Sequence, residues 1–194
     1  GIMSQTNSLY DGIIARRSAS AKHLVAPAPD AATLEQILFA ASRAPDHGRL
    51  VPFRFVRIAP DQRTRLADLL VSAARQLDAA LPGPEAERVR EKALEGPLSI
   101  AMIARIDGAH PKISVPDQWL SAGCALENIL LATGALGFAA AVKSGRHFNA
   151  PVVREAFSLG DSEQVVGLIV LGTASEFPPA KPKPDVAAIV SDWT

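Results

Sequence analysis

Apolar residues recur along the chain at two spacings, and the switches between them mark out a series of short elements. Leu9, Ile13 and Ile14 stand at helical spacing and lead into Arg16 and Arg17. That pattern predicts an amphipathic helix over residues 6–17, followed by the turn SASAKH. A second helix is expected from Asp30, as its N-cap, to about Arg43, with Leu34, Ile37, Leu38 and Ala41 as its inner stripe. Pro45 is expected to stop it. FRFVRIA, residues 53–59, alternates as a strand does. DQRTRLADLLVSAARQLDAAL predicts a helix capped by Asp61, with Leu66, Leu69, Leu70 and Ala73 facing inward. LPGPEAER breaks it and begins another helix to about Leu94, a polar stretch expected to lie at the surface as a mobile cover.

The second half is more apolar. PLSIAMIARI, residues 97–106, reads as a buried strand. DQWLSAGCALENILLATGALG, residues 117–137, is apolar nearly all round, which suits a core or a subunit interface rather than a solvated surface. FAAAVKSG gives a short strand ending at Lys143 and Ser144, and PVVREAFSL a helix opened by Pro151. QVVGLIVLGTA is the strongest strand signal in the chain. The tail EFPPAKPKPDVAAIV is proline-rich and extended, better suited to an arm that wraps something than to a hinge. Helices and strands mix without strict alternation, so an α+β fold with a mixed sheet is expected over a doubly wound parallel one. No repeat or linker divides the 194 residues, and a single domain over 1–194 is the expectation.

Composition narrows the function classes. Twenty basic and twenty acidic side chains cancel, leaving no global field for nucleic acid or an anionic membrane. No apolar run approaches the roughly 20 residues of a membrane span. The opening GIMSQTNSLYDG has no secretory apolar core, so a cytoplasmic location is expected. The single cysteine, Cys124, excludes an intrachain disulfide, and its apolar helix points to a buried, inert thiol.

Three segments could carry chemistry. Arg16, Arg17 and Ser18 follow a helix end, where a basic pair can simply complement the macrodipole or can hold a phosphate. RAPDHGRLVPF sets Arg43, Asp46, His47, Gly48 and Arg49 between two prolines. His47 there can donate, act as an acid or serve structure alone, and its surroundings lack the spacing of a metal site. VKSG, residues 142–145, follows a strand, a common place to hold an anion, but lacks the glycine spacing of a phosphate-binding loop. TGALG, residues 133–137, ends a helix instead of opening one, so it fails the dinucleotide fingerprint, and Gly137 reads as a helix C-cap. No G-x-S-x-G elbow is present.

In order, RRSAS, SRAPDHGRLVPF, SAGCALENILLA, GFAAAVKSG, PVVREAF and IVLGT resemble the nitroreductase family, most nearly its short YdjA-like branch, from about residue 10 to 173. The resemblance implies an α+β homodimer with extensive chain exchange: a mainly antiparallel sheet flanked by helices, and an arm of about residues 174–194 around the partner. It implies one FMN per active site at the interface, with NADH or NADPH as donor and a small electron-poor molecule as acceptor. By the same likeness Arg16, Arg17 and Ser18, and later Val142, Lys143 and Ser144, meet the flavin, while Arg43 and His47 reach it from the partner subunit. Lys143 is expected to add a point charge opposite the arginines. Ala132, Thr133, Gly134, Ala135, Leu136 and Gly137 match the stretch associated with the nicotinamide nucleotide. The chemistry would be centred on the flavin, with donor and acceptor using it in turn and no side chain acting as nucleophile. The chain departs from the pattern at Ser20, where many relatives are basic, and at VKSG, where they read W-R-S-G. Val51 to Phe53 stands for their Q-P-W. These departures bear on flavin affinity and acceptor choice, and leave open a flavin store or sensor without turnover, or a flavin-free hydrolase or interaction protein with the same fold.

Overall fold

The computed structural model describes residues 8–194. Helix α1 spans Ser8–Ala15, so residues 6 and 7 of the expected first helix lie outside the described residues. The helix ends before Arg16 and Arg17, and none of its side chains is buried. Strand β1, Leu24–Val25, follows, too short to leave a periodic signal. Helix α2, Ala31–Ala41, begins as expected: the Asp30 carboxylate accepts the Thr33 N–H at 2.8 Å. Past Ala41 tighter turns, with the Arg43 N–H on the Ala40 carbonyl and the Ala44 N–H on the Ala41 carbonyl, carry the chain up to Pro45, which has no N–H to continue the helix.

Strand β2 covers Phe53–Arg57, helix α3 Arg63–Leu77 and helix α4 Gly83–Ala93. Asp61 does not cap α3. It lies inside a 3-10 turn, Pro60–Gln62, that opens on proline and leaves Gln62 at the cap position without a side-chain bond. Strand β3 is Leu98–Arg105, helix α5 Val115–Ala135, strand β4 Ala139–Lys143, helix α6 Pro151–Ala156 and strand β5 Glu163–Ala174. Ser114 caps α5 by accepting the Asp117 N–H, and Gly137, at φ 87°, closes its far end.

Every strand pair is antiparallel, and β5 is the spine. One edge of β5 pairs with β3, from Leu98 opposite Leu171 to Arg105 opposite Glu163. Its other edge carries β4, with Ala139 opposite Gly172, and then β1, with Leu24 opposite Ala174. Strand β2 lies outside β3. The alternation of side chains divides the core into two faces. Ile100, Met102, Ile169 and Leu171 pack with α2 and α5, while Ala101, Val165 and Leu168 pack with α3 and α6. Buried side chains such as Ile37, Leu70 and Ile129 each contribute roughly 1.5–3 kcal/mol by leaving water.

Helix α5 is buried along one stripe only: Ala122, Ala125, Ile129 and Thr133 face inward, while Leu120 is 67% exposed. Cys124 is half-buried, more open than an apolar helix suggested. Beyond β5 the chain is extended, with one 3-10 turn at Val186–Ala188, and Ile189, Val190 and Trp193 stand in solvent. Among the described residues no helix is long and apolar enough to cross a membrane.

Candidate functional site

After α1 the chain straightens and runs beside β4, where the Ala19 N–H donates to the Ala140 carbonyl at 3.0 Å. Ala19, Ala21, Ala139 and Ala141 pack together with Leu24 and Val170 beneath them. Small side chains on both segments let the two backbones approach closely in a narrow strip, and the alanines themselves are buried. A cavity opens at each end. The first, about 690 Å3, lies between α1 and the C-terminal half of α5 and is lined by Arg16, Arg17, Leu130, Gly134, Ala139 and Phe177 among others. The second, about 580 Å3, lies under α4 and takes in Ala19, Ala21, Val142, Lys143, Ser144 and His147. Five strand residues separate the two ends, roughly 13 Å at the usual rise of a strand.

Both arginines are moored. Arg16 Nε stands 3.6 Å from Glu127 Oε1 of α5. Arg17 lies 4.3 Å from the Phe177 ring centroid and reaches the Pro178 carbonyl at 3.5 Å, which ties the start of the C-terminal arm to the same cavity. Ser18 is exposed between them and the strip.

Lys143 points elsewhere than expected. Its ammonium donates to the Lys92 carbonyl and to Glu95 Oε1, at 3.2 Å, so it neutralises the C-terminal end of α4 rather than facing the arginines. Burial pushes its pKa down, and the Glu95 charge opposes that shift. Arg63 seals the same corner by donating to the carbonyls of Leu94 and Glu95. The Lys143 carbonyl sits against Gly167 of β5, where a Cβ would come within 2.2 Å of it. His147 stacks near Phe148, with centroids 4.7 Å apart, and burial pushes its imidazole below its ordinary pKa, which keeps it neutral at pH 7.

The loop after α2 is tightly built. The Asp46 carboxylate accepts the N–H groups of Leu50 and Val51, and Arg105 donates to the Val51 carbonyl. These bonds hold Val51 at φ 48°, a costly conformation for a β-branched residue. His47 Nδ1 stands 3.4 Å from Asp117 Oδ2 at the start of α5. Neither Arg43 nor His47 lines either cavity, so the fold does not bring them to the strip of their own chain.

Within residues 132–137, Gly134 and Ala135 line the first cavity. Thr133 is fully buried and donates to the Ile129 carbonyl, while Ala132 packs against the core. Leu136 is partly exposed and Gly137 makes the turn into β4. The sequence reading missed Phe177, Glu95, Arg88 and Lys92, all of which line a cavity. For the last two the spacing i, i+4 on a helix was a usable signal.

Residues 13–173 match the profile of the nitroreductase family. A protein of Haemophilus influenzae, named provisionally as an NAD(P)H nitroreductase, is 38% identical over 81% of this chain and 84% of its own. Escherichia coli YdjA, with the same provisional name, is 36% identical over 83% of this chain and 85% of its own. Among solved structures, a nitroreductase-like protein of Bacillus cereus superposes with a TM-score of 0.81 at 18% identity, covering 98% of each chain. A variant of NfnB from a Sphingopyxis strain, an FMN- and NADPH-dependent nitroreductase, superposes with a TM-score of 0.73 at 18% identity, covering 96% of this chain and 99% of that one.

Proposed function

The chain belongs to the nitroreductase family, and from that premise we propose that it is an FMN-dependent NAD(P)H oxidoreductase acting on small electron-poor acceptors such as nitroaromatics, quinones or enone-like compounds. The observation that carries this reading is the alanine strip with a basic cavity at one end and the segment 142–144 at the other. A flavin mononucleotide has one dianionic end and one flat end, and this strip offers a distinct partner for each.

Arg16 and Arg17 would hold the phosphate by charge-assisted bonds, reversing the unfavourable sign of the α1 C-terminus. Ser18 is exposed beside them and can add a hydroxyl donor. Val142 and Ser144 would border the ring, with the backbone of Ala19 and Ala140 fixed by their mutual hydrogen bond. FMN, when bound, supplies the two-electron transfer between nicotinamide and acceptor. The protein's part is to bind, orient and exclude water. NADH or NADPH and the acceptor would use the site in turn, with Gly134 and Ala135 as the nucleotide-side contacts that the cavity leaves accessible.

The same reading includes a homodimer. Leu9, Ile13 and Ile14 of α1 are exposed, as are Val186, Ile189, Val190 and Trp193 of the arm. A protein that left all of these in water would carry an apolar surface of the kind that marks an interface. Arg43 and His47, which line neither cavity of their own strip, would then complete the partner's site, with Asp117 orienting the imidazole.

Purified protein should be yellow, or become so with added FMN, and NADH or NADPH should bleach it without oxygen. Arg16→Ala should weaken FMN binding about tenfold or more, the loss of one hydrogen bond to a charged group. A colourless protein that takes up no FMN would sink the proposal. Bound FMN that neither nucleotide reduces would favour a store or sensor instead.

A further inference from the structure

We propose that α4 is an anion-recognising wall of the second cavity, and that the acceptor reduced by this enzyme carries a carboxylate or a comparable anionic group on a flat apolar body. The inference rests on the oxidoreductase reading and names its substrate class. The floor of the cavity is apolar, formed by Leu70, Ala141, Val142, Phe148 and Leu168. Such a floor suits a ring but gives it no orientation.

Orientation comes from the rim. Arg88 and Lys92 stand one helical turn apart on α4 and both line the cavity. Among the described residues neither side chain has an ion-pair partner, whereas their neighbour Arg90 is held by Asp68 and Glu87. The cavity's other charges are mostly answered for. Lys143 and Glu95 neutralise each other, and half-buried His147, its pKa pushed down by desolvation, is uncharged at neutral pH. Glu85, at the first turn of α4, is the one carboxylate left opposite two free cations. A guanidinium and an ammonium above an apolar floor, next to the segment that borders the flavin, fit an aromatic acid better than a neutral ring.

A phosphate of NADPH offers similar chemistry, so the test separates the two sources. Full-length protein loaded with FMN, as wild type and as the double variant Arg88→Ala with Lys92→Ala, is assayed with 4-nitrobenzoate and 4-nitrobenzamide, which share a ring and differ in charge. The wild type should prefer the nitrobenzoate, and the ratio of the two kcat/KM values should fall roughly five- to tenfold in the variant, as expected for two partly solvated ion pairs. A ratio that is the same in both proteins overturns the proposal. So does a changed NADPH-to-NADH preference with an unchanged acceptor ratio, which would assign the wall to the donor. A second readout needs no turnover: calorimetric titration with benzoate should show weaker binding to the variant by a similar factor. If neither ring is reduced and neither nucleotide bleaches the flavin, the oxidoreductase reading falls. The benzoate titration then decides the wall alone, and equal affinity in both proteins overturns it.

Discussion

Glu163 opens β5 and is gripped by Arg54 of β2, with Nε to Oε2 at 2.6 Å and Nη2 to Oε1 at 3.3 Å. The guanidinium bonds, helped by the Gly160 N–H, lower its pKa to about 2 from the usual 4.5. The unfolded carboxylate therefore binds a proton at higher pH than the folded one. The pair's stabilisation is fully present above about pH 4.5 and is lost as the pH falls towards about 2. The Arg54 side chain is 31% exposed, so solvent screening reduces the contribution to about 1–2 kcal/mol. Glu163→Gln should cost that much at pH 7 in urea denaturation and only a small fraction of it at pH 2, where the folded carboxylate is about half protonated. A deficit that persisted undiminished at pH 2 would mean that packing, not charge, is responsible. No sequence pattern announces this pair, because its members lie 109 positions apart.

At the scale of elements, most of the architecture was legible. Periodic apolar positions located α2, α3, α5, β3 and β5, and the Asp30 cap was readable because the capping bond is local. What escaped depended on turn geometry or on contacts between distant segments. Asp61 failed to cap α3 because a 3-10 turn precedes the helix, and β1 is a strand only because the last residues of β5 lie beside it. The candidate site divides in the same way. Arg16, Arg17 and Ser144 could be picked out by type and place, yet only the fold shows Lys143 turned onto α4. The close seating of β4 on β5 at Gly167 yields a further test. Gly167→Ala would press a methyl group into the Lys143 carbonyl, at a cost of about 1–3 kcal/mol. Because that carbonyl belongs to the segment 142–144, the substitution should also weaken FMN binding. An unchanged FMN dissociation constant, measured by fluorescence quenching, would show that this segment lies apart from the flavin.

For the whole molecule, the question is how eight residues of α1 remain helical. A helix of two turns is marginal in water, and α1 buries none of its own side chains within the chain. A second subunit over Leu9, Ile13 and Ile14 would supply the missing burial, and Arg16 follows directly from that helix. Ile14, 66% exposed here, is thus a probe of assembly. Ile14→Asp should shift the protein from dimer to monomer in sedimentation and lower its FMN content at the same time. A variant that stayed dimeric with full flavin would place α1 outside the interface. The balance of twenty acidic and twenty basic side chains agrees with association driven by apolar contact, since no net charge opposes it.

The position of β5 in the chain also has a consequence for biosynthesis. Strands β1, β3 and β4 each pair with β5, and without it only β2 and β3 have each other. As the polypeptide leaves the ribosome from its N-terminus, the helices can form early, but three strand edges wait for residues 163–174. From the synthesis of β3, Leu98–Arg105, until β5 follows at Glu163–Ala174, the nascent chain therefore carries the apolar β3 with one edge unpaired, and its sheet closes late. It is during translation, more than in the finished protein, that this fold is open to aggregation and most dependent on chaperones.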